Sequence, residues 1–465
     1  MDNKRDYEMN LSFFRSLTGL VYDNRMIFLL LSTLIAFLIL DTLLIKIYPF
    51  NTIEPVFGPR LSIFVIIGSM FAIGQYLILK YIRKKSAKIR SKEKHFDRIH
   101  EVVVVTQVVI TAILLVVILQ MITMSRYNNG MIIACATMSY ILSMLLMTIL
   151  SKRFFSWSKS NRNIVVISYA ISSTIIALNA GITIVLVDII LSQQPSEARP
   201  HSGPVSPTVS LFFATFSLIG TLNYAFVATT VASFVSFWLS TALLLRHYSE
   251  RLGQAKYWVM LSIPLVFFLS QFMPLFAELF STMRQSEPVL FSMFYTTIFT
   301  LSTPAGGILF GIAFWMVARS LPRHNVVRDY LIISAFGIVL LFTSNQAMIL
   351  VSFSYPPFGL VTISFLGISS YLILVGIYSS AISVSQDISL RRSVKNQAFQ
   401  EAKLLDSIGT AQMEQEIEER AILLTRRCQD MMVEETGIST SLNAEDIKKY
   451  LKEVIEEVKK QRTER

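Results

Sequence analysis

Three acidic residues stand where a carboxylate is costly. Asp41, Asp188 and Glu278 each fall inside a long apolar run. Ionisable residues in such runs mark a functional site or sit at a hydrated membrane edge. Counting about 1.5 Å per residue from the inner end of each run puts all three toward the outer edge. The edge reading is the simpler one, since hydration removes the cost. The sharper reading is an outward-facing acidic cluster for a cation or a cationic ligand. Pro304, Gly306 and Gly307 are the second candidate, as ligand or hinge positions, because they interrupt the apolar run 289–318. Proline removes a backbone donor, and the glycines loosen the helix beyond it. Discontinuous spans of that kind expose backbone groups to substrates. Gly307 and Gly311 also form a GxxxG pair, which suits close helix packing, and packing is the expectation here.

Enzyme chemistry has little support. The five histidines, His95, His100, His201, His247 and His324, read as loop residues, and no pair has metal-ligand spacing. The sequence holds no phosphate-cradling glycine loop, nucleophile elbow or kinase signature. No catalytic, cofactor or metal residues are assigned. Cys135 lies in an apolar run and Cys428 in the polar tail, which implies no disulfide framework. Neutral polar residues in the apolar runs, Gln75, Gln120, Asn179, Asn223, Asn345 and Gln346, are expected to hydrogen-bond between helices.

The elements that must position these residues are membrane helices. The 465 residues are 53% hydrophobic and 16% charged, with mean hydropathy +0.55. A soluble domain carries about 25% charged residues. Ten apolar runs are predicted as spans: 26–47, 61–79, 102–124, 131–150, 164–191, 209–245, 257–280, 289–318, 330–351 and 360–384. A span needs about 20 residues. The run 209–245 would be roughly 55 Å as one helix. It either tilts and protrudes or breaks near Gly220 and Asn223. Its inner half carries Ala228, Ala232, Ser236 and Ser240 as a small-residue stripe. The fold class is an all-α integral membrane bundle with a short helical C-terminal tail.

Basic residues alternate between loops. The loop 80–98 holds nine, from Lys80 to Arg98, and the later loops on that side hold Lys152, Arg153, Arg246, Arg251, Arg319 and Arg323 among others. The opposite loops hold Arg60, Arg126, Arg199 and Arg284. Short basic loops stay cytoplasmic, so both termini are expected in the cytoplasm of a multi-pass cell-membrane protein. The formal charge of +11 is then topological and no nucleic-acid partner is implied. The loop 80–98 is expected to lie against anionic lipid headgroups. The outer loop 193–207 reads as an extended segment without a fold of its own.

Flanking segments complete the plan. Residues 1–25 form a cytoplasmic segment in which Leu11, Phe14, Leu17 and Val21 have helical spacing. It is either an interfacial helix or an extension of the first span. Residues 385–465 form the tail. Ile417, Ala421, Leu424, Cys428 and Met431 make a short heptad seam. A last helix, capped by Asn443, presents Ile447, Leu451, Val454 and Val458 as an apolar face for a partner or for self-association. A tenth span that continued into the tail as one helix would carry bundle motions to that partner.

The stretch Ser354, Tyr355, Pro356, Pro357, Phe358, Gly359 and the tail string KLLDSIGTAQM at 403–413 resemble a set of uncharacterised archaeal polytopic membrane proteins. That resemblance implies a membrane bundle and carries no activity, so no site residue transfers from it. Physically, Tyr355 to Gly359 read as a tight outer turn with aromatics at the interface. Two functions are carried forward. A signal-receiving or scaffold protein is favoured, because the membrane interior lacks charge and the tail offers docking faces. A transporter or permease of a small neutral solute is the alternative, and an intramembrane enzyme trails behind both. A polar-lined cavity would favour transport, and a filled bundle would favour the scaffold.

Overall fold

The computed structural model describes residues 24–47, 58–87, 94–193, 196–198, 218–246, 253–272, 300–321, 326–346, 355–386 and 402–436, with isolated residues elsewhere. They form an all-α bundle. Its helices are α1 (Asn24–Ile47), α2 (Pro59–Lys85), α3 (Lys94–Met124), α4 (Asn129–Ser160), α5 (Ile164–Ser192), α6 (Leu218–Leu245) and α7 (Gln254–Ser270). Then come α8 (Ser302–Ser320), α9 (Val326–Ser344), α10 (Leu360–Ser364), α11 (Leu366–Gln386) and α12 (Ala402–Thr436). The short helix α10 and α11 together make one span, Leu360–Gln386. Among the described residues seven helices are long and apolar enough to cross a membrane: α2, α3 from Phe96, α4, α5, α6 from Ile219, α9 and this last span. Two apolar helices are shorter, Ile27–Leu43 within α1 and α7.

Local sequence explains several helix starts. Asn128 and Asn163 cap α4 and α5, accepting from Gly130 N at 2.7 Å and Val165 N at 2.9 Å. A short polar side chain there satisfies a backbone donor that the helix leaves open. Only residues 161–163 separate α4 from α5, so the two pack antiparallel. Helix ends rich in Lys and Arg meet at one end of the bundle, called here the basic end. Lys85 of α2 forms an ion pair with Asp329 of α9 at 2.7 Å, and Tyr330 donates to the Lys85 carbonyl at 3.0 Å.

The structure departs from the sequence reading at several points. The stretch 80–98 is helical at both ends: Lys80, Arg83, Lys84 and Lys85 end α2, and Lys94 and Arg98 begin α3, with residues 88–93 outside the described residues. His95 and His100 therefore lie on α3, not in a loop. Helix α6 begins at Leu218 and is continuous through Asn223, residues 209–217 of that run lie outside the described residues, and Ala228 and Ala232 of its small-residue stripe are exposed. Within the segment after α5, Glu197–Ala198 pair antiparallel with Tyr127–Asn128, and residues 199–217 lie outside the described residues. The tail does not continue the last span as one helix. A continuous helix would hold residues 384 and 409 roughly 37 Å apart, yet Gly409 packs against Val384. Residues 1–21, 347–354 and 437–448 lie outside the described residues. So do Glu278, Ile447, Leu451 and Val458.

Candidate functional site

The last span has no lipid-facing side. All of its apolar window is buried inside the bundle, although its sequence is rich in serine. Ser364, Ser370 and Ser380 donate to the carbonyls of Leu360, Leu366 and Gly376, four residues earlier, at 2.7, 3.0 and 2.7 Å. This local bonding satisfies each hydroxyl without a partner helix. The lone pairs that remain meet neighbours: Ser370 Oγ lies 2.7 Å from Ser143 Oγ, and Ser364 Oγ lies 3.3 Å from Cys135 Sγ. Ser139 donates to the Ile363 carbonyl at 2.7 Å. Small residues also bring backbones together. A Cβ on Gly376 would strike Ser334 Oγ and would lie 2.5 Å from the Tyr330 carbonyl of α9.

At the end away from the basic residues, Asp41 of α1 caps this span. It is fully buried. Its Oδ2 accepts from Gly359 N at 3.0 Å, Thr362 N at 3.2 Å and Thr362 Oγ1 at 2.7 Å. Gly359 has φ +90°, which favours glycine. A carboxylate on open N–H groups at a helix start is a charge-assisted cap. This differs from the hydrated edge position expected for Asp41. The burial follows from the turn 355–359, in which Pro356, Pro357 and Phe358 are buried instead of interfacial. Phe358 packs edge-on against Phe64, and Tyr355 stacks on Tyr127 and donates to the Met121 carbonyl.

Along the span, His100 Nδ1 lies 2.8 Å from the Tyr371 hydroxyl. Below it stacks an aromatic tier of Phe96, Tyr378 and Trp157, with the Arg153 guanidinium 5.0 Å from the centre of the Tyr378 ring. At the basic end α12 is seated on this tier. Leu404, Leu405, Ile408 and Ala411 are buried, and burying each of the three larger side chains is worth about 1.5–3 kcal/mol. Gly409 lets α12 approach Val384. Trp157 Nε1 donates to Gln412 Oε1 at 3.1 Å, Ser385 donates to Glu416 at 3.0 Å, and Gln415 donates to Ser156 at 2.7 Å. Ser160 donates to Glu414. One line of contacts thus runs from Asp41, through the enclosed span, to α12.

The other predicted positions do not join this line. Asp188 is exposed on α5. Pro304 falls in the first turn of α8, where its missing N–H costs nothing. Gly306 and Gly307 are contact points: a Cβ on Gly306 would strike the Phe234 ring, and one on Gly307 would lie 2.7 Å from Phe342 Cβ. Of the three acids read as an outward-facing cluster, Asp41 is buried and Asp188 exposed, and Glu278 lies outside the described residues. Near the start of α8 is a neutral polar network. Asn179 donates to Thr229 and Thr230 at 3.0 and 2.9 Å. Asn345 donates to Asn179 at 3.2 Å, and Tyr140 donates to Asn345 at 3.3 Å. Gln346 donates to the Thr300 carbonyl at 3.4 Å. The sequence pointed to Asn179, Asn345 and Gln346, placed His100 only as a loop residue and did not single out Tyr140. The buried face of α3, with Phe96, His100, Val103, Gln107 and Ile110 at helical spacing, was the signal for His100. Among the described residues no cluster of three potential metal ligands occurs. No family model matches the chain, and no curated protein or solved structure matches it.

Proposed function

We propose that the chain is a ten-span membrane protein, with both termini in the cytoplasm, that receives a signal or serves as a scaffold. Its output is α12. The observation that carries this reading is the seating of α12 on the inner end of a span with no lipid contact. A helix facing lipid can tilt without consequence for its neighbours. An enclosed helix, packed like a soluble core, passes a displacement to whatever touches its ends. Asp41 holds one end and α12 covers the other, so a ligand or partner that shifts the outer end is felt at α12. The loop charges support the orientation, with the basic end cytoplasmic. Lys80 near the Tyr76 ring and Arg319 near the Trp315 ring fit an interface with anionic headgroups.

The coupling is testable across the bilayer. Asp41→Ala removes the cap at one end, and hydrogen exchange of residues 402–416 is read at the other, in the full chain in lipid nanodiscs. Faster exchange there, without loss of the bundle's own protection, supports the reading. Unchanged exchange at 402–416 removes its basis.

A permease of a small neutral solute is the second reading. It draws on the network of Tyr140, Asn179, Asn345 and Gln346 beside the start of α8 and the end of α9. These groups bond mainly to one another, which suits a structural role. Solute uptake into proteoliposomes that disappears in Asn179→Ala, with stability kept, would favour the permease.

A further inference from the structure

Beyond its docked turns, α12 exposes apolar side chains. It has 35 residues and is roughly 50 Å long. Burial ends near residue 416. From there Ile417, Leu424, Cys428 and Met431 are all exposed, as are Leu423 and Met432. With Ala421 between them, the first four keep a spacing of 4, 3, 4, 3, the repeat by which one helix presents a seam to another. Tyr450 and Val454, farther along the tail, are exposed as well.

We infer that this seam pairs with the same seam of a second copy, in parallel and in register. The inference names the partner of the output arm and so rests on the reading above. Two copies inserted the same way in one bilayer present their arms on the same side and pointing the same way, so the membrane selects the parallel pair. Placing Ala421 and Cys428 at the a positions and Ile417, Leu424 and Met431 at d leaves Arg420 and Arg427 at g. Across a parallel pair those arginines face Thr425 and Met432 of the second copy's identical sequence, so no like charges oppose. The fifteen residues of seam, 417–431, are too short to hold two free helices together in water. Anchoring in a shared membrane raises the effective concentration and relaxes that demand.

The register places the two Cys428 side chains side by side, which makes the pairing measurable. The full chain in proteoliposomes is oxidised with copper phenanthroline, and dimer formation is followed on non-reducing gels. The native chain should cross-link, and Cys428→Ser should not, because Cys135 is buried. In the Cys428→Ser background, Leu424→Cys and Met431→Cys should cross-link severalfold faster than Glu419→Cys and Arg426→Cys, which lie on the opposite side of the helix. Equal rates at all four positions would mean random collision and overturn the pairing. Absence of cross-links, with quenching of Leu424→Trp by brominated lipid, would mean that the arm lies on the bilayer and would overturn it too. Exchange protection at 402–416, measured on the same samples, separates the two ideas. Protection kept without cross-links refutes the pairing alone, whereas protection absent in the native chain refutes the docking on which the proposed function stands.

Discussion

Helix α3 and the last span invert the rule of a soluble core. From Phe96 to Met124, α3 has a mean hydropathy of 3.1 over its most apolar window, yet only 28% of that window is buried. The last span is less apolar, at 2.2, and is wholly buried. Val105, Val108, Leu115 and Leu119 of α3 point outward, while the serines of the last span point into protein. In lipid, apolar side chains gain nothing by leaving the solvent, so helices associate through close packing and hydrogen bonds instead. Valine and leucine serve the outside, and glycine and serine serve the contacts. The more polar helix is therefore the better candidate for the interior.

Substitution on the two helices tests that contrast. The largest effect is expected at Gly376. Overpacking costs about 1–3 kcal/mol where neighbours can yield, but here the Tyr330 carbonyl is backbone. Gly376→Leu should abolish the monodisperse folded protein on size-exclusion chromatography in detergent. Val108→Leu, on the exposed face of α3, should stay within about 0.5 kcal/mol of the native chain. Equal damage from both would erase the distinction between the two helices.

A smaller loss is expected at Asp41. Asp41→Ala leaves Gly359 N and Thr362 N without their acceptor, which costs about 1–3 kcal/mol. The melting temperature in detergent should fall, and Asp41→Asn should fall less, because an amide oxygen still accepts. Asp188→Ala, at an exposed position, should melt like the native chain. A melt of Asp41→Ala that matches the native one would show the cap to be idle.

The smallest effect concerns the serine contacts. Buried hydrogen bonds between membrane helices average about 0.6 kcal/mol in double-mutant cycles. Ser143→Ala and Ser370→Ala, singly and together, should show coupling of that size in unfolding titrations. Zero coupling would leave packing alone to hold α4 against the last span.

The sequence by itself determined the all-α membrane class, the positions of the seven spanning helices among the described residues and the starts of α4 and α5. Each of these is local: length, hydropathy and a capping asparagine act within a few residues. The GxxxG pair at Gly307 and Gly311 was legible as a packing signal for the same reason, and both glycines now face α9. Tertiary structure decided which helix lies at the centre, because periodicity says that a face is buried but not against what. It also decided the role of Asp41. Its partners Gly359 and Thr362 lie more than three hundred residues away, and the turn that brings them over α1 forms only when Phe64, Tyr127 and Met121 close around Tyr355 and Phe358. The course of the tail was decided there too. Nothing between residues 386 and 402 states that α12 turns back, and what holds it is a glycine against Val384 and a glutamine under Trp157, contacts that exist only once α4 and the last span stand side by side.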